Sequence, residues 1–201
     1  MFYRPGIDDH GLPHNPFKAI ISPRPIGWIS TLDENGTANL APYSFFNAIA
    51  DSPPMVMFSS TGTKPDQQQN KDSVANIRAS GAFVVNIVSD ALKDQMNATS
   101  APLPSGVDEF ERARLTKAPC REIAPPYVAQ APAALECRLF KLIELPGQNN
   151  TMVIGTVVGI HLSDNMFTDG IFDITKYKPL ARLGYMDYAV IDKTFQLARP
   201  K

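Results

Sequence analysis

Proline and glycine interrupt this chain at intervals of roughly ten to twenty residues. There are 18 prolines and 12 glycines among 201 residues, and the segments between them are mostly short and β-patterned. Met55 to Phe58 and Ala82 to Ile87 are examples, since both are apolar runs of strand length. Regularly spaced short strands with turn residues between them favour a β-barrel or a β-sandwich. The chain is therefore predicted to be mainly β, with a few peripheral helices.

Two longer segments in the second half indicate a strand pair. Alternating apolar and polar residues predict one buried and one solvent-exposed face for the first strand. The buried face carries Leu135, Cys137, Leu139, Ile143 and Leu145, and the exposed face carries Glu136, Arg138 and Glu144. The second strand has an apolar face made of Met152, Ile154, Val158, Ile160 and Leu162. Its opposite face carries Gly155 and Gly159, which indicate either a close approach by a backbone or ligand, or a bend of the barrel.

Helices are predicted at two places. The first runs from Asp72 to Ala79 with Gly81 just beyond its end, and the second from about Ala91 to Ala98 after Ser89 and Asp90. Residues 99–132 then form a long connection rich in Pro, Ala and Ser, with a charged island at 108–114. A connection of this length is usually functional or an excursion over the surface.

Composition excludes several classes of protein. Charged residues make up 19% of the chain and the formal net charge is −1, so no nucleic-acid partner is expected. No apolar run reaches the roughly 20 residues that span a bilayer, and the N-terminus lacks a signal-peptide core. We therefore expect a cytoplasmic protein with no membrane partner. The length fits a single domain, residues 1–201.

The segment from Ser22 to Asn47 carries most of the functional information. A Pro-Arg-Pro entry leads into an apolar strand, and Asn35-Gly36 predicts a two-residue type I′ turn before the strand returns. Residues 42–47 then interleave hydroxyls, an amide and aromatic rings, which suits a flat heteroaromatic ligand with polar edges. Ser30, Thr31, Ser44 and Asn47 are its polar candidates.

A second candidate site lies at the start of the first predicted helix. Lys71, Asp72 and Ser73 stand where backbone N–H groups and the helix dipole favour an anion. The nearby Ser59, Ser60 and Lys64 are candidates to complete a phosphate pocket. An ordinary capped helix with a solvated lysine is the alternative. Neither a G-x-G-x-x-G nor a P-loop sequence is present, so a Rossmann domain and a P-loop NTPase are not expected.

Four motifs in this order resemble the flavin reductase-like family. They are residues 24–31, residues 41–47, Lys71-Asp72-Ser73 with Asn76-Ile77, and residues 179–184. The resemblance implies an FMN-binding split β-barrel that forms a homodimer. It implies cofactor contacts for Trp28, Ile29, Ser30, Thr31, Ser44, Phe45, Asn47, Ser59, Ser60, Lys64, Lys71, Asp72, Ser73 and Arg182.

Some of these roles have structural alternatives. Trp28 and Phe46 can be either barrel core or walls for the flavin ring, because neighbours in a strand point to opposite faces. Arg182 is expected either to balance charge on the reduced ring or to be a surface arginine. The usual glycine pair of the last motif is absent, since Tyr185 follows Gly184.

The resemblance implies an NAD(P)H-dependent flavin reductase that supplies reduced flavin or electrons to a partner such as a monooxygenase. The alternatives are an electron carrier of the flavoredoxin type and a binder of another flavin-like or haem-like ligand. No catalytic side chain is required, because the cofactor provides the reactive atom. Neither the two cysteines nor His10, His14 and His161 have metal-ligand spacing, so no metal site is expected.

Overall fold

A seven-stranded antiparallel sheet forms the body of the molecule in the computed structural model. The structure describes residues 1–62, 71–104 and 106–200. Its strands are β1 Arg24–Pro25, β2 Gly27–Leu32, β3 Ala38–Tyr43, β4 Phe46–Asp51, β5 Pro54–Ser60, β6 Ala82–Ile87, β7 Lys117–Ala118, β8 Tyr127–Val128, β9 Ala133–Leu145, β10 Asn150–Leu162, β11 Phe167–Thr168, β12 Ile171–Phe172, β13 Leu180–Arg182 and β14 Tyr188–Val190. The helices are α1 Phe17–Ile20, α2 Asp72–Ser80, α3 Lys93–Ala98, α4 Glu109–Arg112 and α5 Ile174–Tyr177, with 3₁₀ turns at Asp90–Leu92 and Asp164–Met166.

The strand order of the sheet explains its barrel shape. The order is β3-β2-β6-β9-β10-β5-β4, so its two outermost strands, β3 and β4, are consecutive in the chain. Only Ser44 and Phe45 separate them, and this short corner brings the two edges of the sheet together. The predicted mainly β split barrel is confirmed. None of the helices in the described ranges is long and apolar enough to cross a bilayer.

The β2–β3 hairpin is present, but its predicted type I′ turn is wrong. The last paired residues are Leu32 and Ala38, which leaves a five-residue connection. Gly36 has a positive φ of 81°, whereas Asn35 does not, and a type I′ turn needs both. The Asp33 carboxylate accepts hydrogen bonds from the N–H groups of Asn35 at 2.9 Å and Thr37 at 2.7 Å. This side chain therefore fixes a longer turn than the Asn-Gly pair predicts.

Two bulges in the β9–β10 pair change which residues face the core. Ile154 pairs with Lys141 and Gly155 with Leu139, so Phe140 is an extra residue, and it is exposed. Beyond it Leu142, rather than the predicted Ile143, packs against the core. A single inserted residue reverses the faces of the strand that follows it.

The second bulge lies between Val157 and Gly159. The apolar residues Val158, Ile160 and Leu162 on that part of β10 are exposed to 37%, 58% and 45%. Both glycines lie at these register shifts, where bulges bend the strand pair, in line with the predicted bend. Side chains also approach both glycines closely. A Cβ on Gly155 would lie 2.5 Å from the Phe83 ring, and one on Gly159 would lie 3.2 Å from Glu136 Cδ.

The two predicted helices are present as α2 and as the 3₁₀ turn followed by α3. Gly81 ends α2 in the left-handed conformation, with φ 70°, as its position predicts. The charged island at 108–114 contains the short helix α4, which packs against the sheet. Asp108 caps α4 by accepting from the N–H groups of Phe110 and Glu111, and the Phe110 ring is fully buried.

Core residues form two clusters on opposite sides of β2. Ile29 joins the cluster inside the barrel, where Phe58, Phe83 and Val153 are fully buried. Trp28 points to the other cluster, together with residues of α3, α4 and β13. Because both faces of β2 are covered, its residues 27–31 are all buried. The second cluster holds the helices and β13 against the sheet, and the candidate site lies beside them.

Candidate functional site

Two adjoining cavities, here called the groove, lie along the end of β3. The wide cavity has a volume of about 660 Å³ and the narrow cavity about 260 Å³. They share Pro42 and Ser100. The wide cavity is lined by Asn15, Phe17, Lys18, Arg24, Ile26, Pro42, Ser44, Met96, Asn97, Ser100, Arg182, Leu183, Tyr185 and Tyr188. The narrow cavity is lined by Asn39, Ala41, Pro42, Tyr43, Lys71, Asp72, Ser73, Thr99, Ser100, Ala101, Pro102 and Glu109.

Arg24 connects the distant segments that form the wide cavity. Its guanidinium donates to the carbonyl oxygens of Lys18 and Ile21, and it donates to the Leu183 carbonyl at 2.7 Å. In addition, Arg24 pairs with Arg182 in the β1–β13 ladder. One buried arginine therefore holds the N-terminal segment and the C-terminal strands together at this wall.

The wide cavity is cationic. Lys18, Arg24 and Arg182 line it, and no Asp or Glu does so among the residues that the structure describes. Burial, and then the nearby Arg182, lower the pKa of Arg24. Positive charges held this close together favour an anionic ligand, because such a ligand would relieve their mutual repulsion.

Lys71 and two acidic groups determine the charge of the narrow cavity. Burial, and then Lys18, lower the pKa of Lys71, so the lysines of the two cavities are electrostatically coupled. The Glu109 carboxylate accepts from the Leu40 N–H at 2.9 Å and from Asn39 Nδ2 at 3.3 Å. Asp72 starts α2. This cavity therefore combines one cation, two carboxylates, the first turn of a helix and the Ser73 hydroxyl.

Two buried polar atoms of the groove walls have no hydrogen bond of acceptable geometry in the part of the chain that is described. They are Arg24 Nε and Tyr43 Oη. Burial raises the pKa of Tyr43 to about 12, although the nearby Ser73 and Ser60 hydroxyls act in the opposite direction. An unsatisfied buried polar group is costly. Arg24 Nε borders the wide cavity, whereas Tyr43 Oη, beside the narrow cavity, has the hydroxyls of Ser73 and Ser60 near it.

Aromatic rings support the cations of the groove. Lys18 Nζ lies 5.9 Å and Arg24 Cζ 6.0 Å from the centre of the Phe45 ring, and Lys71 Nζ lies 5.6 Å from that of Tyr43. Arg182 Cζ lies 4.4 Å above the Tyr188 ring. Such contacts attract and orient the cationic side chains.

Five of the fourteen predicted site residues line the groove: Ser44, Lys71, Asp72, Ser73 and Arg182. Phe45 and Ser60 line neither cavity but lie next to residues that do. The Phe45 ring lies under Lys18 and Arg24, and Ser60 lies beside Tyr43. Lys64 lies outside the described residues.

The four predicted residues of β2 are in the interior and do not line either cavity. Ile29 packs inside the barrel, and Trp28 Nε1 donates to Thr99 Oγ1 at 2.8 Å. The Ser30 hydroxyl donates to the Pro126 carbonyl at 2.6 Å, and Thr31 Oγ1 accepts from Asn76 at 3.0 Å. Their side chains are already used within the protein, so this geometry does not support their predicted ligand contacts.

The remaining two predicted residues lie away from the cavity linings. Asn47 is exposed, and its side chain accepts from the Ala48 N–H at 2.9 Å. Ser59 is in β5, where its N–H donates to the Phe45 carbonyl at 2.8 Å. Both residues lie at the corner between β3 and β4, and neither lines the groove.

Sequence reasoning missed several residues of the groove. Arg24 and Tyr43 belong to the recognised motifs but lacked an assigned role, and Tyr185 and Tyr188 follow the last motif. Lys18 has no signal of its own, because only the fold brings it to Arg24. Within residues 99–132 the part that lines the groove is 99–102, together with Glu109.

The comparison with protein families agrees with this architecture. Residues 21–181 match the model of the flavin reductase like domain. The chain belongs to the flavin reductase-like family. The matched range includes β1, α2 and the first two residues of β13, and it therefore covers most of the groove walls.

Similar proteins come from several bacteria. An uncharacterised protein of Aquifex aeolicus is 35% identical over 166 residues, which are 82% of this chain and 83% of that protein. The crystal structure of nitrilotriacetate monooxygenase component B from Bacillus cereus has a TM-score of 0.89 and 29% identity, covering 98% of each chain. The 2-nitrobenzoate 2-nitroreductase NbaA of Pseudomonas fluorescens has a TM-score of 0.81 and 27% identity, covering 92% of this chain and 88% of that one.

Proposed function

We propose that the groove binds FMN and that this chain is an NAD(P)H-dependent flavin reductase. The observation that carries the proposal is the set of cations Lys18, Arg24 and Arg182 in a wide cavity that no described acidic residue lines, next to Lys71 at the start of α2. FMN carries a phosphate dianion, a chain of hydroxyls and a ring with polar edges. It therefore offers an anion and several polar groups to these cations.

Lys71 and Ser73 are the proposed phosphate ligands. Both line the narrow cavity at the first turn of α2, where the helix dipole favours an anion. Lys18, which is coupled to Lys71, adds positive charge from the side of the wide cavity. A phosphate bound there would raise the lowered pKa of Lys71, because an adjacent anion favours the charged amine.

The wide cavity is the proposed site of the ring. Ser44 supplies a hydroxyl, and Arg182, held over Tyr188, supplies a fixed positive charge. FMN bound there would supply the chemistry of hydride acceptance from a nicotinamide and of onward electron transfer. The role of this chain is to orient both partners, to exclude water, and to stabilise negative charge through Arg182.

The similarity to component B of a two-component monooxygenase, 29% identical across 98% of both chains, supports a role in delivering reduced flavin or electrons to a partner protein. Fold similarity alone does not identify that partner. Asn97 lines the wide cavity, residues 99–102 line the narrow cavity, and the exposed Ser100 lines both. They are therefore our candidate for the part that admits the nicotinamide.

The experiment is reduction of the FMN-loaded protein under anaerobic conditions. The purified protein is denatured, the released chromophore is identified by chromatography, and intact protein is mixed with NADH or NADPH. We expect FMN and rapid bleaching. A colourless protein that does not take up added FMN would contradict the cofactor assignment. Bleaching by dithionite but by neither nicotinamide would instead favour the flavoredoxin-type electron carrier.

We further propose that the protein is a homodimer. Val158, Ile160 and Leu162 expose a row of apolar side chains on β10, and a second copy of the chain is the proposed cover for it. Ile160→Lys should yield a monomer in light scattering, whereas Phe195→Lys, at an exposed position in the C-terminal segment, should not. A monomeric wild-type protein would overturn this proposal.

A further inference from the structure

A cluster of three metal-ligating side chains lies outside the groove. In the β9–β10 pair, Glu136 is opposite Gly159 and His161 is opposite Ala134. The side chains of Glu136 and His161 therefore meet across the two strands. His161 Nε2 lies 2.6 Å from Glu136 Oε1. Cys120, from the loop before β8, completes the cluster, and the three ligand atoms all lie within 4.8 Å of one another.

The surrounding structure holds Glu136 in place. It is 1% exposed, and its two oxygens accept from the N–H groups of Arg121 at 2.9 Å and Glu122 at 2.7 Å. Gly159 provides the space above it, since a Cβ there would lie 3.2 Å from Glu136 Cδ. The Tyr127 ring stacks on His161 with centres 4.2 Å apart. A buried carboxylate this well oriented can bind a cation without large rearrangement.

We propose that Cys120, Glu136 and His161 form a binding site for a divalent transition metal of the zinc class. Thiolate sulfur, imidazole nitrogen and carboxylate oxygen are all zinc ligands. A soft thiolate and an imidazole select against Mg²⁺ and Ca²⁺, which prefer oxygen. Two anionic ligands and a neutral imidazole also balance a charge of +2. Three protein ligands leave a fourth position for water.

Binding requires a defined exchange of protons and hydrogen bonds. The Cys120 thiol loses its proton to solvent as sulfur binds the metal. The short contact between His161 and Glu136 opens, because both atoms then bind the same ion. Glu136 keeps the hydrogen bond from the Glu122 N–H through its other oxygen. The metal would therefore tie the loop at Cys120 to both strands of the barrel.

Spacing along the chain does not reveal this site. The three residues are separated by 16 and 25 positions, unlike the short spacings of structural zinc motifs. The β9–β10 register and the loop bring them together. The site does not depend on the proposed FMN function, because none of the three residues lines either cavity.

The test uses Co²⁺, which substitutes for Zn²⁺ and reports thiolate ligation through a charge-transfer band. Difference spectra of the intact protein should show one bound Co²⁺ per chain, displaced by Zn²⁺. Cys120→Ser should remove the thiolate band. His161→Gln should weaken Zn²⁺ binding, measured by competition with a chelator, by more than the roughly tenfold to hundredfold that loss of an outer partner costs.

Two matched variants serve as controls. Cys137→Ala removes the other free cysteine, which is buried in the barrel, and His14→Gln removes a histidine outside the cluster. Both should bind Co²⁺ as the wild type does, and thermal unfolding without metal checks that each variant is folded. The absence of a thiolate band in the wild-type protein, or its persistence in Cys120→Ser, would overturn the site.

Discussion

Arg24 Nη2 donates a 2.7 Å hydrogen bond to the Leu183 carbonyl across 159 residues of chain. The same guanidinium donates to the carbonyls of Lys18 and Ile21. A planar fork can serve several carbonyl oxygens at once, whereas an ammonium acts as a point charge. This one side chain therefore keeps the opposite walls of the wide cavity in place.

We predict that Arg24→Lys loosens this wall although the charge is kept. Hydrogen bonds made by a charged group contribute about 1.5–3 kcal/mol each, and the lysine cannot replace all three. Amide hydrogen exchange should become faster at residues 183–188, while the strands β9 and β10 stay protected. Unchanged exchange at 183–188 would mean that other contacts hold these segments.

Lys71→Ala should weaken FMN binding much more than riboflavin binding. The lost charge-assisted contact is to the phosphate, and it is worth about 1.5–3 kcal/mol, or roughly a tenfold to hundredfold change in affinity. Titration of the flavin-free protein, followed by fluorescence quenching, measures both ligands.

Lys93→Ala is the matched control for this lysine. Lys93 is exposed and pairs with Asp90 at 2.8 Å, so its loss should leave both affinities unchanged. If Lys71→Ala weakened the affinities for FMN and riboflavin equally, the phosphate would not bind in the narrow cavity.

The raised pKa of Tyr43 predicts that the folded protein loses stability at alkaline pH. Its pKa is raised to about 12 in the folded protein, chiefly by burial, against about 10 when unfolded. The contribution of Tyr43 to the free energy of unfolding is therefore complete below about pH 10. It is lost as the pH rises from about 10 towards 12, because in that range the Tyr43 hydroxyl ionises only in the unfolded chain.

The stability of the flavin-free wild type relative to Tyr43→Phe should fall by about 1.3 kcal/mol between pH 9 and pH 11. Urea unfolding at the two pH values measures the difference. Because other tyrosines titrate equally in both proteins, their effect cancels. A difference that does not change with pH would show that Tyr43 ionises normally in the folded state.

Gly155→Ala should destabilise the barrel. The new methyl group would lie 2.5 Å from Phe83 Cζ and 2.7 Å from Cε1, and overpacking of this kind costs about 1–3 kcal/mol. Chemical denaturation should detect the loss. In a Phe83→Leu background the ring is absent, so adding Gly155→Ala should cost less, and the two substitutions should not be additive.

The sequence predicts the strands, α2 and the split barrel because alternation, capping residues and the four motifs are local signals. It does not predict the bulges that make Phe140 and Val158 extra residues, since one inserted residue leaves the composition of a strand unchanged. The β2–β3 turn was missed because the Asp33 side chain competes with the Asn-Gly preference.

Long-range partners explain why several predicted site residues do not line the groove. Ser30 looks available for a ligand in the sequence, but its hydroxyl donates to Pro126, 96 positions away. Lys18 has no recognisable pattern, yet it lines the wide cavity. Motifs identify the strands that meet at a site, whereas the direction of each side chain depends on register and closure of the barrel.

The walls of the wide cavity run from Asn15 to Tyr188, so segments that are synthesised at different times form one pocket. A ribosome-bound chain that has not yet released β13 and β14 has no complete pocket. Binding of the proposed FMN then has to wait until β13 and β14 have been made, and a polypeptide stopped before Leu180 should not retain FMN.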